Sequence, residues 1–364
     1  MRVAIVCPYS LAVPGGVQQQ VLGLAAALGR AGEDVTVLAP TGPAAYRGGP
    51  AAGYGVVLVG HSLRVPANGS RAPVSLSLAS GRRTVEALRQ LRPDVVHVHE
   101  PFVPAPALAA TLAHLAPTLA TFHRAGGGAG YRAAGLGLRL VAGRIDACVA
   151  VSGAARDTVA LVLGRDPGCE VLWNGVDLDR FAEAVPAPAK VPTALFVGRH
   201  EPRKGLAVLL EAFALVPGEV ALWVAGEGPL TAGLRRRWRD ERVEWLGRVD
   251  DDELAARLAG ASVLVAPSLR GESFGLVLLE AMAAGTAVLA SDLPGYRAAA
   301  GEAARFFPPG DAGALASLLS EVLAEPALAR QLVDAGHRLA VARSFRQLAT
   351  AYRARYARLA ARPA

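Results

Sequence analysis

Residues 194–205 read ALFVGRHEPRKG, a short apolar run followed by a loop with a glycine at each end. An apolar run of this kind before a loop and a helical pattern is typical of a buried strand in a parallel sheet. Arg199, Arg203 and Lys204 stand where the next helix begins, and cations beside a helix N-terminus suit phosphate groups. The stretch therefore predicts an α/β fold with a diphosphate site at the carboxyl end of a strand.

The same alternation of apolar runs and Ala/Leu-rich helical segments recurs on both sides of this stretch. Before it, six runs predict one parallel sheet: Val3–Cys7, Val35–Ala39, Val56–Gly60, Val95–His99, Thr118–Phe122 and Ala147–Val151. After the proline-rich residues 185–192, five predict a second: Ala194–Val197, Val220–Val224, Val243–Leu246, Ser262–Ala266 and Ala287–Ala290. Because 364 residues exceed one ordinary domain, we expect two Rossmann-like lobes, residues 1–185 and 186–345, whose parallel sheets face each other across a cleft. The pattern assigns a last helical segment, Arg346–Leu359, to neither lobe.

The net charge of +7 is unevenly distributed along the chain. Residues 47–92 carry net +6 and residues 338–364 net +7, both through arginines, so the remainder is net −6. Two basic segments on an acidic body indicate a localised anionic partner, such as a membrane surface or a phosphorylated substrate, rather than nucleic acid; solvated arginines on helix faces are the alternative.

The cysteines and the apolar segments bear on the cellular compartment. Cys7, Cys148 and Cys169 form no CxxC pair, so we expect neither a disulfide framework nor a zinc site, and a reducing cytoplasm fits. The N-terminal apolar run is too short for a signal peptide, and no window of ~18 residues suits a spanning helix. We expect membrane contact to be peripheral at most.

A second glycine loop, Pro14-Gly15-Gly16-Val17-Gln18, follows the first predicted strand. Glycines allow close approach of a ligand to the helix N-terminus. The loop is not GxGxxG, and no acidic residue ends the second strand, so a nicotinamide site is disfavoured.

Two glutamates, Glu272 and Glu280, flank a predicted helix start with seven residues between them. This spacing suits two contacts along an extended ligand that bears sugar hydroxyls, although glutamates at a helix start also serve capping and the helix dipole. His123 ends a predicted strand, where the ligand crevice of a parallel sheet lies. His97 and His99 share one face of their strand, and packing beside the crevice is favoured over a metal site because no third ligand is near.

These motifs together resemble the retaining glycosyltransferases of GT-B architecture that carry a Glu-x7-Glu motif, with the phosphatidyl-myo-inositol mannosyltransferases as the most similar members. The resemblance spans residues 1 to about 356. Its most specific pieces are Val6 to Ser10 with Val13 to Gln18, Asn68 to Ser70, His97 to Pro101, Thr121 to His123, Asn174 to Asp177, Gly198 and Arg199 with Glu201 to Gly205, Gly247 to Asp251 and Gly271 to Gly275.

The resemblance implies a nucleotide-sugar donor, GDP-mannose, and no metal site in the protein, with Mg²⁺ at most assisting the diphosphate. The implied catalytic residues are His123, Arg199, Lys204 and Glu272. The implied donor-binding residues are Gly16, Arg199, Arg203, Lys204, Val249, Asp250, Asp251, Glu272, Ser273, Phe274, Gly275, Leu276 and Glu280. Transfer would proceed with retention and without a carboxylate nucleophile, the departing diphosphate acting as base.

For the acceptor, the resemblance implies phosphatidylinositol bound by Tyr9, Gln18, Asn68 and Arg71. Two positions depart from the family pattern. Pro73 stands where the family has its acceptor-phosphate arginine, which leaves Arg71 as the nearest cation, and Arg124 stands where the subgroup has a small hydroxyl residue after the catalytic histidine.

The resemblance also concerns the membrane. Residues 80–91 place Arg82, Arg83 and Arg89 away from an apolar stripe, which resembles the amphipathic helix by which the family docks on anionic lipid at the cytoplasmic face of the membrane. An ordinary lobe helix with its stripe in the core is the alternative. The resemblance further implies that the C-terminal helix, residues 346–360, crosses back to the first lobe, and we expect its arginines to join residues 47–92 in one basic face.

Other functions fit the same architecture. One is a transferase that uses a UDP-sugar and a soluble or polysaccharide acceptor. Another is a sugar-nucleotide epimerase, against which the Glu-x7-Glu spacing and the Arg203–Lys204 pair speak. A non-catalytic sugar-nucleotide binder is disfavoured because His123, Lys204 and Glu272 occur together.

Overall fold

The computed structural model describes residues 1–41, 53–67, 70–126 and 135–361, although the side chains at 64, 66, 67, 70, 71, 135 and 136 are not described. The chain divides into two compact units. The first contains Met1–Gly175 together with Phe345–Ala364, and the second contains Val176–Ser344.

The first unit is built on a parallel sheet of seven described strands in the order β3-β2-β1-β6-β7-β8-β9. Its strands are β1 (Arg2–Val6), β2 (Asp34–Thr41), β3 (Gly55–His61), β6 (Val95–His99), β7 (Thr118–Phe122), β8 (Ala147–Ala150) and β9 (Glu170–Val171). A separate antiparallel hairpin pairs β4 (Leu63–Ala67) with β5 (Ser70–Val74). The order reverses between β1 and β6, and ligands of such sheets bind at the carboxyl ends of strands beside that point.

Helices cover both faces of this sheet. They are α1 (Gly16–Arg30), α2 (Leu78–Leu91), α3 (Pro106–Ala113), α4 (Gly135–Ala142), α5 (Gly153–Leu163) and the C-terminal helix α14 (Phe345–Ala360). Val3 and Ile5 of β1 pack in one core cluster with α1 and α14, whereas Ala4 and Val6 pack in another with α2 and α3. Successive strand residues point to opposite faces, so α2 and α14 lie on opposite faces of the sheet.

The second unit has a parallel sheet of six described strands in the order β12-β11-β10-β13-β14-β15. They are β10 (Thr193–Val197), β11 (Ala221–Ala225), β12 (Val243–Gly247), β13 (Val263–Ala266), β14 (Ala287–Ser291) and β15 (Arg305–Phe307). Its helices are α6 (Leu178–Ala182), α7 (Leu206–Ala214), α8 (Thr231–Arg237), α9 (Asp251–Gly260), α10 (Leu276–Ala283), α11 (Pro294–Ala300), α12 (Ala312–Ala324) and α13 (Pro326–Ala342).

The predicted α/β class with two parallel sheets is confirmed, while the position of the division differs from the expected one. We placed it after residue 185, but Val176 already belongs to the second unit because α6 packs on α9 and α10. The C-terminal helix α14 (Phe345–Ala360) belongs to the first unit, where Phe345, Tyr352 and Tyr356 join the core cluster of α1.

The expectation that the cysteines form no disulfide is wrong at one pair. Cys148 and Cys169 are joined by a disulfide, with Cα atoms 4.6 Å apart. The register of β8 and β9 pairs Val149 with Glu170, so the two cysteines one position earlier are neighbours on adjacent strands. A separation of 21 residues hides this proximity in the sequence. Cys7 is a buried free thiol, and burial raises its pKa to about 12.

The expectation of one continuous basic face is also wrong. The arginines of α14 and those of α2 lie on opposite faces of the first sheet. Several arginines of α14 are moreover paired: Arg353 contacts Glu33 at 2.6 Å, and Arg355 and Arg358 contact Glu170. Arg353, Arg355 and Arg358 are therefore paired with acidic residues of the first unit.

Within the described residues, no single helix has both the length and the apolar character needed to cross a membrane. The pair α12 and α13 meets those criteria only jointly, across a bend of 97°.

Candidate active site

The cationic loop of the second unit, residues 198–205, connects β10 to α7 through a short 3-10 turn, Pro202–Lys204. Gly205 ends this turn with φ +68, and a Cβ there would lie 1.8 Å from the Pro267 carbonyl oxygen. The Leu269 N–H donates to the Arg203 carbonyl at 2.8 Å, which ties the loop to residues 267–275. The backbone thus brings the two predicted motifs of this unit together.

Glu272 is the point on which the side chains of both motifs converge. Its Oε1 lies 2.7 Å from Lys204 Nζ and 3.3 Å from Arg203 Nη1, and it accepts from Ser268 Oγ at 2.9 Å. Ser268 Oγ is also within 2.8 Å of Tyr296 Oη, and burial raises the pKa of that phenol. One carboxylate oxygen therefore holds two cations and a hydroxyl in a cluster that is largely screened from solvent.

Arg199 stands at the edge of this cluster and reaches it through Glu201. Arg199 Nη2 lies 3.0 Å from one oxygen of Glu201, and Arg203 Nε lies 3.1 Å from the other. Glu201 is buried, whereas the Arg199 side chain is 54% exposed. The exposed guanidinium is thus held at the rim while Arg203 and Lys204 point inward to Glu272.

The loop before α10 presents backbone rather than side chains. Gly275 has φ +97, and a Cβ there would lie 2.6 Å from the Tyr296 ring, so glycine is required. The Phe274 side chain is buried, while Ser273 and Leu276 are half-buried. Any ligand at this point would meet the N–H groups of a helix start. Glu280 is buried in the second turn of α10.

Residues 249–251 follow β12 and begin α9. The Asp250 carboxylate accepts from the N–H groups of Asp252 and Glu253, as a helix cap does. Asp251 is paired with Arg180, and Val249 is half-buried. Asp250 therefore caps α9, whereas the Asp251 side chain is 89% exposed and leaves its carboxylate accessible.

Some neighbours of the predicted motifs were missed in the sequence. Gly226 and Gly228, after β11, lie against the cationic loop, because Cβ atoms there would approach the carbonyl oxygens of Gly198 and His200 to 2.0 and 2.6 Å. The signal for them was a glycine pair directly after a predicted strand. Ser268 and Tyr296 carried no local signal, since their roles depend on contacts between distant segments.

In the first unit, His123 is fixed at the end of β7. Its backbone N–H and that of Arg124 donate to Glu100 Oε1 at 2.6 and 2.8 Å. Its Nε2 lies 2.8 Å from His99 Nδ1. Burial lowers the pKa of His123 to about 3 and raises the pKa of Glu100. His123 is therefore a neutral, oriented imidazole near neutral pH.

The two other histidines continue this buried network toward α14. His97 Nδ1 lies 2.6 Å from Tyr356 Oη, and its Nε2 lies 2.7 Å from Thr121 Oγ1. Thr121 Oγ1 is in turn 2.9 Å from Tyr352 Oη. Burial lowers the pKa of His97 to about 3. The packing interpretation of His97 and His99 agrees with these contacts.

The residues predicted for the acceptor are only partly described. Gly16, which was predicted to bind the donor and lies in the same segment, is the exposed first residue of α1. Gln18 is buried, and its Nε2 donates to the carbonyls of Ser10 and Val13, so its amide shapes the preceding loop. Tyr9 forms a β-bridge with Val74 at the end of β5. Asn68 lies outside the described residues, as does the side chain of Arg71.

The residues predicted to contact a membrane are exposed on α2. Arg82, Arg83 and Arg89 all face solvent, while Leu88 is buried in the core. Between α2 and α3 lies a groove of 820 Å³ lined mainly by apolar side chains, with Arg82 and Arg89 among its walls. Leu76 and Leu78 at this groove are 52% and 83% exposed. The helix thus has a core side, a charged side and an exposed apolar side.

The described residues contain no group of three or more His, Cys, Asp or Glu side chains arranged to hold a metal ion. In the cationic loop the positive charge is supplied by Arg199, Arg203 and Lys204. Of the predicted site residues, His123, Gly16, the acceptor set and the arginines of α2 belong to the first unit, and the others belong to the second.

Comparison with known proteins agrees with this geometry. The family model described as Glycosyltransferase Family 4 matches residues 14–180, and the model described as Glycosyl transferases group 1 matches residues 191–325. The chain is 40% identical over 346 residues to a phosphatidyl-myo-inositol mannosyltransferase of Mycolicibacterium smegmatis, covering 90% of this chain and 86% of that protein. It is 39% identical over 358 residues to the protein of the same name from Mycobacterium leprae, covering 92% and 91%.

Solved structures show the same fold. A glycosyltransferase from Rickettsia africae has a TM-score of 0.76 at 18% identity, with 100% of this chain and 99% of that chain covered. A sucrose-phosphate synthase from Thermosynechococcus elongatus has a TM-score of 0.74 at 22% identity, with 98% of each chain covered. With both sheets matched by family models and relatives aligned over nearly the whole chain, this protein belongs to the group 1, family 4 glycosyltransferases of GT-B fold.

Proposed function

We propose that this enzyme transfers mannose from GDP-mannose to phosphatidyl-myo-inositol, with retention of configuration, at the cytoplasmic face of the membrane. The observation that carries the proposal is the convergence of Lys204, Arg203 and Ser268 on Glu272 at the carboxyl edge of a parallel sheet. The name shared by the relatives in two mycobacterial species supports the choice of sugar and acceptor.

In this proposal the diphosphate of the donor is bound by Arg199, Arg203 and Lys204. Lys204 and Arg203 lie 2.7 and 3.3 Å from the same carboxylate oxygen of Glu272. A phosphate oxygen could accept hydrogen bonds from these two cations at the same distances. As the bond to the sugar breaks, negative charge grows on the leaving diphosphate. Fixed cations stabilise that charge because they need no reorganisation at the moment of reaction. Mg²⁺ in solution would at most assist.

The sugar and the nucleoside would be bound by the segments on either side of these cations. Glu272, with the backbone of Ser273, Phe274, Gly275 and Leu276, would meet the mannose and the phosphates, and Gly16 would offer the N-terminus of α1. Val249, Asp250 and Asp251 would flank the guanine, and the exposed carboxylate of Asp251 is accessible for that contact. Glu280 would bind the ribose.

The reaction would need no carboxylate nucleophile. Glu272 is committed to Lys204, Arg203 and Ser268 through one oxygen, so its role would be to bind hydroxyls and hold the cations. His123 would contact the reacting sugar as a neutral group, and the departing diphosphate would take the proton of the acceptor hydroxyl. A covalent mannosyl adduct on Glu272, sought by mass spectrometry of the rapidly quenched enzyme, would contradict this mechanism.

The inositol phosphate would be received by Tyr9, Gln18, Asn68 and Arg71. The Tyr9–Val74 bridge supports this grouping because it joins the loop after β1 to the hairpin strand that carries Arg71. Arg124 adds a cation directly after His123. Gln18 would act indirectly. Its amide Nε2 donates to the carbonyls of Ser10 and Val13, which shapes the loop beside the proposed acceptor site.

Membrane attachment would use α2. Its exposed arginines Arg82, Arg83 and Arg89 would contact anionic headgroups, each contributing on the order of 1 kcal/mol. The exposed Leu76 and Leu78 beside the apolar groove support contact with a lipid surface, since contiguous exposed apolar side chains mark interaction sites. Such attachment would be reversible and sensitive to salt.

A matrix of donors and acceptors tests the proposal. GDP-mannose and UDP-glucose are each incubated with phosphatidylinositol vesicles, with soluble sugars and without acceptor, and the products are identified by mass spectrometry. A mannosylated phosphatidylinositol from GDP-mannose alone supports it. Transfer from the UDP-sugar to a soluble acceptor would favour the alternative transferase, and conversion of the UDP-sugar without acceptor would favour an epimerase.

A further inference from the structure

The contact between His99 and His123 has the geometry of a direct N–H···N hydrogen bond. His99 Nδ1 and His123 Nε2 are 2.8 Å apart, the ring centroids 5.0 Å apart, and the ring planes 20° apart. A centroid separation this much longer than the nitrogen separation means that the rings meet edge to edge in nearly one plane. Two bare nitrogens at 2.8 Å would repel, so one of the two must carry a proton.

The burial of both rings restricts where the remaining protons can be. A neutral imidazole has one N–H and one bare nitrogen, so there are two arrangements. If His123 donated from Nε2, His99 would carry its proton on Nε2, which is buried and has no hydrogen-bond partner among the described residues. Unpaired buried N–H groups are rarer than unpaired acceptors because they are costly to desolvate. In the other arrangement His99 Nδ1–H donates to His123 Nε2. The buried Nε2 of His99 then carries no proton, so no buried N–H is left unpaired there.

The surroundings hold both rings in this relation. The backbone N–H of His123 is bound by the buried carboxylate of Glu100, whose own backbone has φ +51. The His99 ring is backed by His97, whose centroid is 4.4 Å away and whose two nitrogens are engaged by Tyr356 and Thr121. His99 therefore has little freedom to turn away from His123.

We propose that His99 is a positioning residue that holds His123 as the Nδ1–H tautomer, so that His123 presents a hydrogen-bond donor, and not a base, to an oxygen of the bound sugar nucleotide. The inference rests on the proposed function for the identity of that oxygen, although not for the tautomer itself. The hydrogen bonds that join His97 to Tyr356, and His97 through Thr121 to Tyr352, would keep the neighbouring His99 in place.

Nitrogen NMR of the protein labelled with ¹⁵N-histidine tests the tautomer without any substrate. Two-bond correlations from the ring C–H protons distinguish protonated from bare nitrogens, and the signals of His99 and His123 are assigned by their loss in His99→Asn and His123→Gln. We expect Nδ1 to be protonated in both residues at pH 7. A protonated Nε2 on His123, or an averaged mixture of tautomers, would overturn the proposal.

Kinetics then test whether the tautomer matters for transfer. His99→Asn retains an N–H at the position of Nδ1, whereas His99→Leu removes it. We expect kcat to fall by about tenfold or more in His99→Leu, with a smaller change in the donor KM, and to be largely restored in His99→Asn. His114→Asn, at a half-buried histidine paired with Asp146, is the control for loss of a histidine.

The possible outcomes separate the two proposals. If His99→Leu lowers thermal stability but leaves kcat and the His123 nitrogen spectrum unchanged, His99 is only structural and the inference is wrong. If no mannose transfer is found, the proposed function fails, while the nitrogen spectrum still decides the tautomer.

Discussion

Lys204 and Glu272 form the contact that explains most about the cationic loop. In a chain with only two lysines, one of them points into a cluster where its ammonium is 2.7 Å from a largely buried carboxylate. The compact charge of lysine can approach a single oxygen closely, whereas an arginine fork would spread over two. The pairing holds Lys204 in a fixed place, where we propose that it meets the donor diphosphate.

Replacing Lys204 should impair chemistry more than folding. We expect Lys204→Ala to lower kcat by a factor on the order of 10² or more, because a donor to the developing charge of the leaving group is removed. The other lysine, Lys190, is exposed and serves as the matched control. Equal turnover of Lys204→Ala and Lys190→Ala in a steady-state assay would remove Lys204 from the site.

The buried histidines predict a dependence of stability on pH. Burial lowers the pKa of His97 and of His123 from 6.5 to about 3, so the unfolded chain takes up protons first as the pH falls. Their contribution to the free energy of unfolding is complete above about pH 6.5 and is lost between there and about pH 3. The raised pKa of Glu100 has the opposite effect on the free energy of unfolding, but Glu100 is one group against the two histidines.

We therefore expect the urea midpoint to fall as the pH is lowered from 7 to 4, and the decline to be shallower in His97→Asn. Far-ultraviolet circular dichroism at a series of pH values measures both. A midpoint that stays constant or rises over this range would show that the histidines are already protonated in the folded protein.

At the scale of the elements, α2 and α14 illustrate how one sheet separates two basic segments. Both carry arginines, but they cover opposite faces of the sheet, and three arginines of α14 are paired with Glu33 and Glu170. The charge count could not distinguish them, because pairing depends on which residues the fold brings near. The exposed arginines of α2 remain as the expected contact with an anionic surface.

Replacing Arg82, Arg83 and Arg89 together by alanine should weaken binding to vesicles that contain anionic lipid. At on the order of 1 kcal/mol each, the partition coefficient should fall roughly 100-fold. Replacing Arg235, Arg236 and Arg237, which form an exposed run in the second unit, removes the same charge and should have little effect. Vesicle flotation that responds equally to both triple variants, or to neither, would exclude α2 as the membrane contact.

The helix α14 should be an integral part of the first unit. Tyr356 is fully buried and its hydroxyl contacts His97. We expect Tyr356→Ala to cost about 3–5 kcal/mol of unfolding free energy, as for other large buried side chains, whereas the exposed Thr350→Ala should change it by less than about 0.5 kcal/mol. Hydrogen exchange of the α1 amides measures the loss in this unit, and unchanged protection would contradict the packing.

At the scale of the whole molecule, the sequence was most informative where one local rule applies. The strands Val95–His99 and Thr118–Phe122 were predicted to the residue, because strands covered on both faces are continuous apolar runs. The short strands Glu170–Val171 and Arg305–Phe307 were missed, since two or three residues carry no such pattern. The Cys148–Cys169 disulfide was missed because only the sheet makes these cysteines neighbours.

The candidate site shows the same difference between residues marked by a local pattern and residues brought together only by the fold. Lys204, Glu272 and His123 were predicted as site residues from their positions at strand ends and helix starts, and that prediction still awaits a test. Ser268 and Tyr296 were not singled out, and His99 was expected only to pack beside the crevice, because their side-chain contacts join residues 4 to 28 positions apart. The local sequence therefore indicates candidate residues, whereas the contacts that orient them depend on the fold.

The most direct test of the central claim is a single assay of the wild-type enzyme with ¹³C-labelled GDP-mannose and phosphatidylinositol vesicles, with the lipid product analysed by mass spectrometry and its anomeric configuration by NMR. The account predicts phosphatidylinositol carrying one labelled mannose in the α configuration, and loss of that product in Lys204→Ala but not in Lys190→Ala. A β-linked product, or no labelled lipid while a UDP-sugar is transferred, would contradict it.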